Sequence, residues 1–266
     1  MNANKRPVVI LCSTQDEASM NIYNNLLPYS HPTQLSFDGH PIYLVAISSE
    51  RKAYLVCMNR RSITAEHIDQ EIVNVLGVSI DAVIFATKHD SKSGVPSFCV
   101  HTQGNWATAD MGGHIGDVAI CPIFLKHLLF SNLLVQNTTQ YEVVNECTHH
   151  GPSLNTPSVF IEIGSTITEW KQPANGRIVA AAIRGALTQY SEEENDQDLP
   201  IVMGIGGTHT CSNYNRLVAE QKIMLSHVCP SYAVDGLTSQ MIVTALKNAT
   251  LPASVIVDWK SLNATQ

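Results

Sequence analysis

The chain alternates between short apolar runs and segments whose apolar residues recur at helical spacing. Several runs are nearly continuous in β-branched residues, which is typical of strands covered on both faces. The predicted strands cover residues 7–13, 42–48, 52–58, 82–88, 97–101, 141–146, 158–165, 201–207 and 254–259. The predicted helices cover residues 16–29, 64–77, 121–136, 176–191 and 212–225. This alternation predicts an α/β fold, a three-layer sandwich with a largely parallel or mixed central sheet.

No segment of the chain is typical of a linker between domains. The one low-complexity segment is the acidic SEEENDQD at 191–198, which we interpret as a solvated loop. The chain has 266 residues, of which 44% are hydrophobic, so it can bury a substantial core. We therefore predict a single compact domain over residues 1–266.

Polar residues follow five of the predicted strands at the point where each strand ends. These residues are His89, His101, His149 with His150, the segment 164–166, and the segment 206–210. In open α/β sheets, ligands bind at the carboxyl ends of the strands, so the five loops together predict one site. On a strand, the side chains of His149 and His150 would point to opposite faces. A turn at Gly151-Pro152 would break that alternation.

Three kinds of chemistry fit such a site, and the residues alone leave them open. Histidines together with Glu146, Glu162 or Glu169 could bind Zn²⁺. A histidine could act as a general base on water, with the backbone amides of Gly206 and Gly207 stabilising an oxyanion. The same glycine-rich turn could bind a phosphate. The chain has no H-E-x-x-H, P-loop or G-x-S-x-G motif. Cys147 is a weak candidate for a nucleophile, because it lies within a strand-like run.

Composition narrows the possible surroundings and partners of the chain. The formal net charge is −7, which argues against a general nucleic-acid binder. The seven cysteines include no C-x-x-C, and most lie in apolar runs, which is typical of buried free thiols in a reducing compartment. No apolar run approaches the length of a membrane span. We therefore predict a cytoplasmic protein that binds neither DNA nor membranes, and we favour a monomer.

The residues at the strand ends resemble those of the archaeal and plant type of D-aminoacyl-tRNA deacylase. The matching segments are HDSKSGVPSFCVHTQGNW (89–106), ECTHHGPS (146–153), VFIEIGSTITEW (159–170), MGIGGTHT (203–210) and LSHVCPSYAVDGL (225–237). They occur in the order typical of the family and extend over about half of the chain. The chain departs from the family at 206–210, which reads G-G-T-H-T where the family commonly has G-G-G-H-Y.

The resemblance implies hydrolysis of the ester that joins a D-amino acid to the 3′ end of tRNA, which recycles the tRNA. It also implies zinc dependence and a fold similar to the cores of phosphorylases and peptidyl-tRNA hydrolases. We expect the catalytic residues to be His149, His150, Glu162 and His209, with the three histidines as candidate zinc ligands. We expect the substrate-binding residues to be Lys88, Ser91, Lys92, Ser93, Gly94, His101, Asn105, Thr148, Gly206, Gly207 and Thr208.

Several functions compete with this hypothesis. One alternative is another enzyme on a similar fold, such as a peptidyl-tRNA hydrolase, a nucleoside phosphorylase or a metallopeptidase. A phosphorylase should place an arginine against the phosphate, and the loops at the strand ends contain few arginines. The other alternative is a tRNA- or nucleotide-binding relative without activity, which the changed segment 206–210 would allow. Whether His149 or His150 binds a metal or accepts a proton is left open at this point.

Overall fold

Eight strands form the central sheet of the chain, and the computed structural model describes residues 5–47, 51–192, 198–249 and 253–264. The strands are β1 (Val8–Ser13), β2 (Ser30–Phe37), β3 (His40–Val45), β4 (Ala53–Met58), β5 (Ala82–Asp90), β6 (Ser97–His101), β7 (Glu142–Asn145) and β8 (Ser158–Ser165). Their order across the sheet is β2-β3-β4-β1-β5-β8-β6-β7. Three further strands, β9 (Ile201–Gly206), β10 (Met224–Cys229) and β11 (Ser254–Asp258), form a smaller sheet in the order β10-β9-β11.

The central sheet is mixed in its strand directions. β1 pairs in parallel with β4 and β5, and β5 pairs in parallel with β8. β2 and β3 add an antiparallel edge, and β6 runs antiparallel to β8. The smaller sheet is parallel throughout. The α/β fold with a mixed central sheet, which was predicted from the alternation of strands and helices, is confirmed.

Seven helices pack around the two sheets in the part of the chain that the structure describes. They are α1 (Glu17–Leu26), α2 (Ile68–Leu76), α3 (Ile123–Gln136), α4 (Ile167–Lys171), α5 (Pro173–Glu192), α6 (Ser212–Ala219) and α7 (Ser239–Lys247). Both faces of β1 are buried: Val8 and Ile10 pack in a core with α1, α3 and α5, while Val9 and Leu11 pack in a second core with α2. The central sheet therefore lies between two layers of helices, as predicted.

Two strands, β2 and β10, were not predicted, because β2 is mostly exposed and β10 is buried throughout. β2 lies at the edge of the sheet and is mostly exposed, so its sequence SHPTQLSF lacks an apolar run. The predicted helix over 212–225 was wrong at its end, since α6 stops at Ala219 and β10 begins at Met224. Gln221 has a φ of 54°, which ends the helical conformation. Every residue of β10 is buried, so its apolar pattern does not distinguish a strand from a buried helix.

Some boundaries also differ from the predictions. α5 begins at Pro173, where the fixed φ of proline suits the first turn of a helix. It continues to Glu192, so the acidic segment predicted as a loop begins inside a helix, and its residues 193–197 lie outside the described residues. No helix in the described ranges is long and apolar enough to cross a membrane. The prediction of a single domain stays a prediction.

Candidate active site

Five histidines from four segments of the chain lie together beside the middle of β8. His89 belongs to β5, His101 ends β6, His149 and His150 follow β7, and His209 follows β9. The prediction that these strand ends share one edge was wrong for β6 and for β7, which runs parallel to β6. Because β6 runs antiparallel to β8, His101 lies opposite Phe160 and not beside the end of β8. The site therefore extends along β8 instead of lying at the sheet edge alone.

The two adjacent histidines face the same cluster. His150 has a φ of 48°, a left-handed conformation that breaks the alternation of a strand. The ring centroids of His149 and His150 are consequently 4.4 Å apart. Nδ1 of His149 lies 2.8 Å from the carbonyl of Cys147, and Nδ1 of His150 contacts the carbonyl of Gly151. A carbonyl can only accept, so each Nδ1 carries the proton and each Nε2 is left with a lone pair.

His101 and His209 complete the group of closely packed rings. The centroid of His101 lies 4.3 Å from that of His149 and 4.9 Å from that of His150. The centroid of His209 lies 4.5 Å from that of His149. His101 is fully buried, and neither of its ring nitrogens has a hydrogen-bond partner among the described residues. A buried ring nitrogen without a partner is costly, which makes His101 a candidate ligand for an ion.

Two buried carboxylates, Glu146 and Glu162, lie against the histidine cluster. Oε1 of Glu146 lies 3.0 Å from Nδ1 of His89 and 3.4 Å from Nε2 of His209. Oε1 of Glu162 accepts a hydrogen bond from the Thr87 hydroxyl at 2.8 Å. Oε2 of Glu162 lies 3.8 Å from both His89 and His101. Glu146 is fully buried at its side chain and Glu162 nearly so.

Burial and the neighbouring charges divide these groups into neutral and charged forms. Burial lowers the pKa of His101 and of His150 to about 3, and it lowers the pKa of His149 well below its ordinary value. Burial together with the charge of Glu146 raises the pKa of Glu162 well above its ordinary value. At neutral pH these histidines are therefore uncharged, and burial shifts Glu162 toward its protonated form.

Glu146 and His209 carry opposite charges at neutral pH. Burial opposes ionisation of Glu146, but the contacts with His209 and His89 outweigh it and hold the pKa of Glu146 well below its ordinary value. Burial likewise disfavours the His209 cation, but contacts with Cys147 and Glu146 prevail and raise the pKa of His209 to about 10. The pKa of His89 is raised against burial by Glu146 and then Glu162. The site thus pairs the Glu146 carboxylate with the His209 imidazolium at neutral pH, and the same carboxylate favours the charged form of His89.

The donor atoms of the site can hold a metal ion in several ways. Four sets of three residues each bring one donor atom apiece within 4.8 Å of the others. The sets are His101–His149–His150, Cys147–His149–His209, His89–Cys99–Glu146 and His101–Glu146–Glu162. The first set is the one built of neutral histidines, two of which keep Nδ1 bonded to a carbonyl. Metal-binding histidines in proteins commonly show this arrangement.

Three cavities open onto the histidine cluster, and His209 lines all of them. Cavity A, of about 450 Å³, is lined by residues that include Asp16, Arg61, Lys88, Asp90, His149, Phe160 and Glu162. Cavity B, of about 340 Å³, is lined by residues that include Asn105, Trp106, Ala107, Asp110, Met111, Pro230, Tyr232 and Ala233. Cavity C, of about 580 Å³, is lined by residues that include His89, Asp90, Ser91, Lys92, Ser93, Glu142 and Thr210.

The predicted substrate-binding residues near β5 lie at these cavities. Lys88 lines cavity A, with its ammonium 4.5 Å from the ring centre of Trp170. Ser91, Lys92 and Ser93 form a turn that lines cavity C, in which the two serine hydroxyls are 2.9 Å apart. Gly94 closes this turn, donating its N–H to the carbonyl of Ser91 at 3.2 Å.

The other predicted residues have mainly supporting positions. Asn105 lines cavity B, and its side-chain amide donates to the carbonyl of Gly112 at 2.8 Å. The Thr148 hydroxyl accepts from the backbone N–H of Val228 at 3.1 Å. Gly206, Gly207 and Thr208 do not line cavities A, B or C. The N–H of Gly207 donates to the Ser261 hydroxyl at 2.5 Å, so it is not free to bind an oxyanion as expected.

Residues of the cluster that were not proposed as site residues include His89, Glu146 and Tyr232. Glu146 was considered only as one of three available carboxylates, since nothing in its spacing relates it to His209. The Tyr232 hydroxyl lies 3.2 Å from Nδ1 of His209 and 3.3 Å from Sγ of Cys147. The position of His89 at a strand end indicated that it belongs to the site, because the other four strand ends are also followed by polar residues of the predicted site.

Known proteins resemble this chain over most of its length. A family model described as D-aminoacyl-tRNA deacylase matches residues 76–266. A protein named D-aminoacyl-tRNA deacylase from Thermococcus onnurineus is 33% identical, covering 95% of this chain and 90% of its own. One of the same name from Archaeoglobus fulgidus is 30% identical, covering 96% of this chain and 88% of its own. The crystal structure of the conserved protein of unknown function AF0625 superimposes with a TM-score of 0.86 at 30% identity, covering 97% of this chain and 88% of its own.

Proposed function

Since the chain belongs to the D-aminoacyl-tRNA deacylase family, we propose that it hydrolyses the ester between a D-amino acid and the 3′ end of tRNA. The observation that supports this most is the grouping of neutral and charged histidines around Glu146, at the meeting point of three cavities. Ester hydrolysis needs a proton donor for the leaving oxygen and room for both halves of the substrate, and this site offers both. Family membership favours this activity over a peptidyl-tRNA hydrolase or a non-catalytic relative.

His209 is suited to supply the proton of the reaction, and Glu146 to hold that proton on His209. Water attacks the ester carbonyl and forms the new C–O bond, and the proton that this water loses passes to the solvent in the cavities. The bond to the 3′ oxygen of the ribose then breaks, and the His209 cation donates a proton to that oxygen. Glu146 is buried and lines none of cavities A, B and C, and its Oε1 lies 3.4 Å from Nε2 of His209, so its charge favours the return of a proton from solvent to His209. His209 lines all three cavities, which places it within reach of any bound ester.

Zinc fits the three neutral histidines of the site. His101, His149 and His150 would hold the ion, because three neutral imidazoles are a common set of catalytic zinc ligands. Neither buried ring nitrogen of His101 has a hydrogen-bond partner among the described residues, and one of them would coordinate the ion. When bound, zinc supplies a Lewis acid that favours ionisation of water and polarises a carbonyl. Glu162 would orient His101, since its Oε2 lies 3.8 Å from that ring.

Cavity C is suited to the end of the tRNA. The exposed Lys92 and the serine hydroxyls of its turn can bind a phosphate, and Lys88 adds positive charge in the neighbouring cavity A. A site that holds only the terminal nucleotides needs few cations, which is compatible with a net charge of −7. Transfer RNA is aminoacylated and used in translation in the cytoplasm, so we propose a cytoplasmic location.

The proposed activity is tested with tyrosyl-tRNA prepared with D- or L-tyrosine, by measuring loss of the ester. We expect the chain to hydrolyse the D-ester and to spare the L-ester. His209→Asn should reduce kcat for the D-ester by about 100-fold or more, which is the loss expected when a proton donor is removed. His31→Asn, on the exposed strand β2, is the matched control and should retain activity. A wild-type chain that leaves both esters intact would refute the activity.

The zinc proposal has a separate readout. We expect about one zinc ion per chain in purified wild-type protein, measured by elemental analysis. His101→Asn should lower that content at unchanged circular dichroism, whereas His31→Asn should not. Zinc at background in active wild-type protein, with activity indifferent to a chelator, would refute the proposed ligand set.

A further inference from the structure

We propose that cavity B holds the side chain of the D-amino acid and so sets which aminoacyl-tRNAs are hydrolysed well. The assignment rests on the proposed deacylase function and deepens it. The substrate has three parts that need separate places around the ester: the terminal nucleotide, the α-ammonium group and the amino-acid side chain. The three cavities that meet at His209 differ in their lining residues, and this difference indicates which part of the substrate each cavity holds.

Cavity B is lined mainly by apolar groups. The indole of Trp106, the thioether of Met111 and the aliphatic surfaces of Pro230 and Ala233 face it. A volume of about 340 Å³ lies near the lower end of the ~300–1,000 Å³ of typical small-molecule pockets, so the cavity has room for a large amino-acid side chain. An apolar recess of this size favours large aromatic and aliphatic side chains.

The other two cavities carry the charges that the rest of the substrate requires. Cavity A has carboxyl groups of Asp16 and Asp90, which can receive an α-ammonium group. Cavity C has Lys92, which can receive a phosphate. Apart from His209, which all three cavities share, the charged residue that lines cavity B among the described residues is Asp110, so the cavity offers no lysine or arginine to a phosphate. The nucleotide and its phosphate are therefore better placed in cavity C than in cavity B.

The aromatic wall of cavity B is fixed directly to the proposed proton donor. The Tyr232 hydroxyl lies 3.2 Å from Nδ1 of His209, and the indole N–H of Trp106 donates to the carbonyl of Val228 at 3.1 Å. A group that occupies the cavity hence lies beside the proposed proton donor, as an amino-acid side chain next to the ester would. Tyr232 is 66% exposed and Met111 is 52% exposed. Large apolar groups exposed beside a site are typical of a binding surface, and a side chain would cover both.

Substitutions that narrow cavity B test the assignment, by comparing the hydrolysis of esters that differ only in their amino-acid side chain. Ala233→Leu places bulk deep in the cavity, and Ala107→Leu places bulk at its exposed rim, where folding is less at risk. Ala219→Leu, on the exposed end of α6, is the matched control outside the three cavities. The substrates are D-tyrosyl-tRNA and D-alanyl-tRNA, and the readout is the ratio of their kcat/KM values.

We expect each cavity variant to lower the ratio of D-tyrosyl to D-alanyl hydrolysis by about tenfold or more, since a methylene-sized change in a pocket discriminates by ~10–200-fold. The control variant should keep the wild-type ratio. If both esters were slowed equally, cavity B would hold a part common to both, such as the terminal adenosine, and the assignment would be wrong. An unchanged ratio in a folded, active Ala107→Leu variant would also overturn it. A wild-type chain inactive on both esters would instead overturn the deacylase function, and this assignment with it.

Discussion

Replacing Thr148 by valine tests how the histidine pair is held in place. Thr148 directly precedes His149 and is 2% exposed, and its hydroxyl accepts the backbone N–H of Val228 at 3.1 Å. Its own N–H donates to the carbonyl of Val228 at 2.9 Å. These two bonds join the segment after β7 to β10 of the smaller sheet. Valine keeps the shape of threonine but removes the acceptor, so the buried N–H of Val228 loses this partner.

The expected loss follows from the cost of a buried N–H without a partner, which is about 1–3 kcal/mol. With a slope of about 3 kcal/mol/M in urea for a chain of this size, the midpoint of unfolding should fall by roughly 0.3–1 M. The value of kcat for D-tyrosyl-tRNA should fall as well, by up to about 100-fold, because a small displacement of His149 misplaces the reacting groups.

The assay is urea unfolding followed by circular dichroism, paired with single-turnover deacylation. Thr148→Ser is the matched control, because it keeps the hydroxyl and loses only a methyl group. We expect the serine variant to retain most of the kcat, and its midpoint to lie between those of the wild type and Thr148→Val. If the valine variant unfolded at the wild-type midpoint, or if the two variants lost the same stability, the hydrogen bond would not be what holds the segment.

Three further predictions concern charge. Because the pKa of His209 is raised to about 10, kcat/KM should fall as pH rises through about 10, after subtraction of uncatalysed ester loss. Protonation of His209 also stabilises the fold. This stabilisation should be complete below about pH 6.5 and should disappear as pH rises through about 10. Glu146→Gln should move that fall in activity toward neutral pH, and an unmoved profile would show that Glu146 does not hold the proton on His209. Lys92→Gln should reduce the slope of log K for tRNA binding against log salt concentration by about one phosphate contact. Lys247→Gln on α7 should leave this slope unchanged.

The fold was predictable wherever burial followed a simple rule. The strands from β4 to β9 with long apolar runs were found from sequence, because both faces of the central strands are covered by helices. β8 has eight buried residues, and its predicted range coincides with the observed one. The failures at β2 and β10 have opposite causes, since β2 is largely exposed and β10 is buried throughout. In neither case does the apolar period identify a strand.

The site was predictable in its residue types but not in its pairings. His149 and His150 were found from the motif and from their position after β7. The pairing of Glu146 with His89 and His209 joins residues 57 and 63 positions apart, and no spacing along the chain records it. Likewise, the occupied N–H of Gly207 depends on Ser261, which is brought close by the pairing of β9 with β11.

The meeting of cavities A, B and C at His209 suggests how the protein could distinguish D- from L-aminoacyl esters. With the ester held at His209 and the nucleotide in cavity C, the two remaining large substituents of the α-carbon are sorted between a carboxyl-lined recess and an apolar one. Exchanging the mirror images swaps these two occupants. The L-form would press its ammonium group against Trp106, so its rejection is a dehydration penalty and not only a collision. Such sorting acts even on alanine, whose side chain is too small to collide with anything.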